Sequence, residues 1–336
     1  MPSINKLFNL PTGLKIMLYF FQIFGLFTIT FNRKLQQLVL VGSKKVSAII
    51  FFIVMALNLA WTTNSLLNFD YESNIASLSF DSIMMTANIF SSIITAFIIS
   101  IVLFYRRQEV IEISEIIGKI RQYSVFLNSG ADQYIKKALS QSIQLLILII
   151  ITWSIIITIE FFNINLNVFY LHVLPVIFNS ITMNACILQY TSLILFINQV
   201  FKILNEVLLK INYQSSTKMT NFQFIITGES NWAVGKIYTL QKLHSLLYEL
   251  ADKVSNLYSL PIFFCISKLF FFLLHTSYLS SNLIIHQDYN RILYSSWYII
   301  DFHLLGILAL VILLRLNSSA SSVIDSVSNI FIIIIC

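Results

Sequence analysis

Of the 336 residues 57% are hydrophobic and 11% charged, with only eight glycines and four prolines. So apolar a chain cannot cover itself with polar surface in water, which excludes a soluble domain. The formal net charge of +6 would point to nucleic acid in a soluble protein. Here no basic stretch is interleaved with a nucleic-acid-binding fold, so no nucleic acid is expected as a partner.

The cations are segregated. Three segments of six hold 18 of the 21 lysines and arginines: Lys6, Lys15, Arg33, Lys34, Lys44 and Lys45; then Arg106, Arg107, Lys119, Arg121, Lys136 and Lys137; then Lys202, Lys210, Lys218, Lys236, Lys242 and Lys253. Between them lie apolar runs, and the opposite connections carry Asp70, Glu72, Asp81, Glu160 and Asp288 with Arg291 the one cation. This is the positive-inside pattern of a multi-pass membrane protein. It predicts a plasma-membrane protein with a cytoplasmic N-terminus and the lipid bilayer as its solvent.

In chain order, residues 1–45 read as a cytoplasmic N-terminal segment. Within it Ile16–Phe31 is short, contains Gln22 and Gly25, and lies between Lys15 and Arg33. Cations at both ends predict an interfacial or re-entrant helix. Residues 46–315 read as the bundle, with runs of the roughly twenty apolar residues needed to cross about 30 Å of hydrocarbon at about 46–67, 82–104, 142–163, 168–199, 258–284 and 294–315. The fold class is therefore all-α, a polytopic transmembrane helical bundle with six clear spans, and residues 316–336 form a cytoplasmic tail.

The cytoplasmic stretches keep helical periodicity. Val110, Ile113, Ile116, Ile117 and Ile120 form one stripe; Val200, Leu204, Val207, Leu208 and Ile211 a second; Leu240, Leu243, Leu247, Leu250 and Val254 a third. Each adjoins a span, so the spans should continue as helices that pack through these stripes, against the alternative of helices lying on the lipid surface. Residues 213–236, with Ser215, Ser216, Thr217, Gly228, Ser230 and Gly235, read as a loop.

Cys186, Cys265 and Cys336 adjoin apolar runs and read as small core residues. The five histidines show no metal spacing, no glycine-rich phosphate loop precedes a basic residue, and neither an enzyme nor a cofactor is expected. Asn317-Ser318-Ser319 is the one glycosylation triplet, and the topology places it inside. Lys268 lies about ten residues into the fifth span and Asp301 about seven into the sixth from the other side, depths that differ by several ångströms at about 1.5 Å per residue. An interspan ion pair between them is one expectation; separate snorkelling is the other.

Residues 246–279, LLYELADKVSNLYSLPIFFCISKLFFFLLHTSYL, with His244, Leu247 and Asn256 followed by Tyr258, Ser259 and Leu260, resemble the fifth-span region of insect gustatory receptors. Residues 188–211, LQYTSLILFINQVFKILNEVLLKI, with Phe201, Asn205 and Leu208, are similar to that family's fourth-span exit. The layout, with an internal N-terminus, a long fourth span and helices projecting into the cytoplasm, is similar as well. The resemblance implies a gustatory chemoreceptor subunit of a ligand-gated cation channel, working as a homo- or hetero-tetramer with related subunits and detecting a small-molecule tastant. It departs in one place. The family's seventh span carries Thr-Tyr and then Gln-Phe, whereas no glutamine follows Gln287, which leads to the expectation of a chain truncated before its pore helix.

The resemblance further implies a ligand pocket among the outer halves of spans two to six. The polar and aromatic residues at that depth are Met85, Asn88, Trp153, Thr158, Tyr170, His172, Asn179, His275, Tyr278, Asn282, Trp297, Tyr298, Asp301 and His303. Such a set would supply aromatic walls with a few orienting polar groups. Three other functions compete. The odorant-receptor branch shares the layout. A G-protein-coupled type would need Ile16–Phe31 to span, yet FYRRQEV at 104–110 lacks the acidic-Arg-aromatic triplet. A transporter would need paired broken helices, and only Pro175 and Pro261 interrupt spans.

Overall fold

The computed structural model describes residues 29–32, 37–40, 80–127, 131–163, 174–219 and 229–286, with isolated helical positions at 53, 56, 59–61, 63 and 314. In chain order the elements are β1 (Ile29–Asn32), β2 (Gln37–Leu40), α1 (Phe80–Tyr105), α2 (Arg107–Leu127), α3 (Ala131–Asn163), α4 (Leu174–Met219) and α5 (Glu229–His286). Four expected spans fall on α1, α3, α4 and α5. The runs at 46–67 and 294–315, and the start of the fourth run at 168–173, lie outside the described residues apart from the isolated positions above. By length and composition α3, α4 and α5 can each cross a membrane, and α1 with α2 passes that test only as a broken pair.

Three expectations are corrected. The helix expected over Ile16–Phe31 does not extend to its end, because Ile29–Phe31 belong to β1. That strand pairs antiparallel with β2 in the register Ile29↔Leu40 to Asn32↔Gln37, while residues 16–28 lie outside the described residues. Ile29, Thr30, Phe31 and Val39 are β-branched or aromatic, and a paired strand suits such side chains. This hairpin is the exception to an otherwise helical set of described elements.

The loop expected over 213–236 is helical at both ends, since α4 runs to Met219 and α5 starts at Glu229. Serine and threonine cost only about 0.5 kcal/mol each in a helix and glycine about 1 kcal/mol, less than an already packed helix gains by propagating. Nor does Pro175 interrupt a span. It occupies the second position of α4, where the missing N–H has no intrahelical acceptor to lose. Pro261 does lie inside α5, and there it deprives the Leu257 carbonyl of its helical donor.

The chain divides into two compact units. The first takes the described residues of Met1–Arg107, Leu145–Leu188 and Tyr258–Leu313; the second takes those of Gln108–Gln144, Gln189–Leu257 and Leu314–Cys336. Between α1 and α2 the helix breaks at Arg106, whose N–H donates to Val102 O at 2.9 Å. The second stripe-bearing helix, α4, and the third, α5, run unbroken out of the apolar segments as expected; α2 does not.

The two units differ in what they expose. In the first, α3 buries Leu146, Ile149, Trp153 and Ile156 yet exposes Ile147, Leu148, Ile150, Ile151 and Ile155. Apolar on every side, such a helix is stable only with lipid against its outer face. Phe90, Ile94 and Phe97 on α1 and Phe263, Ile266, Phe270 and Phe271 on α5 are exposed in the same way. In the second unit the exposed positions include Glu115, Lys119, Lys136, Lys137, Lys242, Glu249 and Asp252, a surface suited to water.

Most positions of the three predicted stripes are buried in that second unit, Ile117 and Leu208 being half-buried. Val110, Ile113, Ile116 and Ile120 on α2, Val200, Leu204 and Val207 on α4, and Leu240, Leu243, Leu247, Leu250 and Val254 on α5 are buried. Each buried leucine contributes about 1.5–3 kcal/mol against exposure to water. Of the three helices able to cross a membrane alone among the described residues, α4 is the most enclosed, with 56% of its apolar window buried against 28% for α3 and 44% for α5.

Candidate functional site

The interior of the first unit is not purely apolar. Trp153 on α3, Asn179, Thr182 and Asn184 on α4, and Lys268 on α5 are all buried there. Most buried hydroxyls are satisfied within their own helix: Thr182 Oγ1 donates to Phe178 O at 3.0 Å, and Ser100 Oγ on α1 to Ala96 O at 2.8 Å. In hydrocarbon this back-bonding removes the cost of an unmatched donor. Trp153 differs, because its buried Nε1 has no hydrogen-bond partner among the described residues. Cys186 and Cys265 are free, buried thiols, and Cys265 Sγ lies 4.0 Å from Met183 O. Together with Tyr258 they pack α4 against α5 as core residues.

Of the residues expected to line a ligand pocket, Trp153 and Asn179 are buried in this interior and Tyr278 is half-buried. Thr158 is exposed, and its Oγ1 donates to Ser154 O at 2.7 Å. Met85, Asn88, His275 and Asn282 lie on α1 and α5, where their helical placement is described but their side chains are not. Tyr170, His172, Trp297, Tyr298, Asp301 and His303 lie outside the described residues. Lys268 is buried; its suggested partner Asp301 lies outside the described residues. No group of three or more His, Cys, Asp or Glu that could hold a metal occurs among the described residues.

Sequence reading passed over a polar ladder on the most enclosed helix. Asn184, Thr191 and Asn198 are buried on α4 at seven-residue spacing, and Asn205, a motif residue, continues the series at half burial. Residues seven apart share a helix face. A second row, Asn179, Thr182, Cys186 and Gln189, is buried as well. The repeat was visible in the sequence; that it faces inward was not.

In the second unit two polar contacts tie neighbouring helices. Lys253 Nζ on α5 donates to Glu112 Oε2 on α2 at 2.5 Å, and the Tyr134 hydroxyl on α3 donates to Glu206 on α4. Their carboxylate partners hold both Lys253 and Tyr134 above their ordinary pKa ranges, through the hydrogen bond first in each case. Among the motif residues Leu247, Tyr258 and Phe201 are buried. His244 and Asn256 are exposed, and Asn256 Nδ2 donates to Asp252 Oδ2 at 3.3 Å.

The first unit thus exposes apolar helix faces around a polar, aromatic interior, and the second is packed inside with a charged surface. No match is found among curated proteins. The family model described as 7tm Chemosensory receptor matches residues 14–331, nearly the whole chain. The chain belongs to the 7tm chemosensory receptor family.

Proposed function

We propose that this chemosensory receptor is a gustatory-type subunit of a ligand-gated cation channel, in the plasma membrane with its N-terminus cytoplasmic, assembled as a tetramer with like or related subunits. The observation that carries the reading is continuity. α4 and α5 each run unbroken from the lipid-facing unit, where Trp153 and Asn179 are buried, into the charged-surfaced unit held by the three stripes. A small organic tastant that bound the interior of the first unit more tightly in one state would shift the population of that state, and rigid helices would carry the difference onward. The fourteen residues named for the pocket are its proposed lining, with Trp153 and Asn179 foremost and exposed Thr158 the weakest member. Lys268 and Asp301 are proposed as a structural ion pair.

The test is cation current in cells expressing the full chain, alone and with related subunits, across a panel of small organic compounds. Ligand-evoked current that falls when Asn179 is replaced by Leu supports the reading. Ligand responses that proceed only through G-protein signalling, with no current, would overturn it. An N-terminal epitope labelled in intact, unpermeabilised cells would overturn the orientation and favour the G-protein-coupled alternative.

A further inference from the structure

Cys186 on α4 and Cys265 on α5 are both 0% exposed, and both lie in the first unit. Their contacts bring them to one level of the packing between these helices. Cys265 Sγ lies 4.0 Å from the Met183 carbonyl oxygen, and Met183 is one turn before Cys186 on the same face of α4. The Cys265 thiol also shares a side-chain hydrogen bond with Cys186 itself. Tyr258, two turns before Cys265 on the same face of α5, interacts with Cys186 as well. Ala185, beside Cys186, is 0% exposed too, and small residues at a contact let two helix backbones approach closely.

We propose that Cys186 and Cys265 form a redox modification site, at which a small neutral peroxide oxidises the two thiols to a disulfide that cross-links α4 to α5. Hydrogen peroxide transfers an oxygen to one thiol, giving a sulfenic acid and a molecule of water. The second thiol then attacks that sulfur, the S–S bond forms, and the sulfenic oxygen leaves as a second water. Both S–H bonds and the O–O bond are broken, the sulfurs are oxidised, and the peroxide is reduced. A disulfide holds its sulfurs about 2.05 Å apart, closer than a hydrogen-bonded pair, so the helices must approach slightly. Pro261, buried one turn before Cys265, deprives the Leu257 carbonyl of its helical donor, and a helix bends most readily at such a point. Enclosure selects the oxidant. A thiol walled in by apolar side chains is inert toward charged, water-borne reagents, whereas an uncharged peroxide can enter the hydrocarbon. The proposal rests on the packing of α4 against α5 and not on channel activity, so it stands or falls separately from the gustatory reading.

The test uses the unaltered full chain, so no variant has to fold. Membranes holding it are exposed to hydrogen peroxide, denatured in a maleimide that labels every remaining thiol, and digested without reductant for mass spectrometry. Cys186 and Cys265 are expected to lose their label in equal proportion, and to be recovered to the same extent as one cross-linked pair of peptides. Reductant added after denaturation and before the maleimide should restore both labels. Oxidised glutathione, which is charged, should leave both cysteines labelled. Full labelling of the two after peroxide would overturn the proposal, as would their recovery as separate sulfinic acids or as cross-links to Cys336 or to another chain. Equal loss of label with oxidised glutathione would show a pair open to water and would overturn the enclosed site.

Discussion

Replacing Leu247 by Ala tests whether the helices of the second unit are packed against one another. Leu247 is 0% exposed on α5, as are Leu243 and Leu250 one turn to either side. Truncation removes three buried carbons and leaves a cavity among side chains fixed by their own helices, a loss of about 2–5 kcal/mol. At roughly 2–4 °C per kcal/mol for a domain of this size, the expected fall in apparent melting temperature is roughly 4–20 °C. The control is the adjacent Tyr248, 74% exposed, whose replacement by Ala should stay within about 0.5 kcal/mol. Both variants and the wild-type chain would be heated in detergent at one scan rate, because membrane proteins unfold irreversibly, with the surviving folded fraction read by size exclusion. Equal shifts for the two neighbours would refute the reasoning, since a helix lying on a lipid or detergent surface would not distinguish them in this way.

Breaking the Glu112–Lys253 contact should matter far less. The two side chains remain 28% and 42% exposed in the order lysine, glutamate, so a double-mutant cycle of E112Q and K253Q is expected to show near-additive effects of the two changes; strong coupling would mean the pair is desolvated. The raised Lys253 and Tyr134 groups have the same sign. A group whose folded pKa lies above its unfolded value contributes stability that is complete below the unfolded value and is lost as pH rises through the folded one. Stability of the second unit should therefore be insensitive to these two groups near neutrality and fall above about pH 10, and Y134F/K253Q should flatten that alkaline decline. Trp153→Phe removes an indole N–H that no described residue accepts. If a ligand accepts it, the half-maximal ligand concentration should rise about 2- to 12-fold, matching a hydrogen bond of about 0.5–1.5 kcal/mol, with surface expression little changed; an unmoved response curve would remove Trp153 from the site.

Much of this architecture is legible in the chain. Charge segregation and run length locate α1, α3, α4 and α5, because lipid admits only helices with few charges in their middles. The stripes on α2, α4 and α5 could be read from spacing, and most of their positions prove to be buried. Propensity alone failed between residues 213 and 236, where serines and glycines read as a loop while helix runs through to Met219 and from Glu229. The candidate site was legible as a depth and not as a set of faces. Trp153 and Thr158 were indistinguishable in the sequence, five residues apart on α3, yet one is buried and the other exposed.

What the amino-acid sequence determined by itself is the membrane character, the places where helices run, and membership in a receptor family, since each follows from local composition, spacing and motif. Only the tertiary structure decided that α4 is the enclosed helix, that its Asn184–Thr191–Asn198 ladder faces inward, and that the helix beginning at Phe80 breaks at Arg106. The reason is that an apolar helix is equally content against lipid or against another helix, so hydropathy marks the segment without saying which of its faces meets protein.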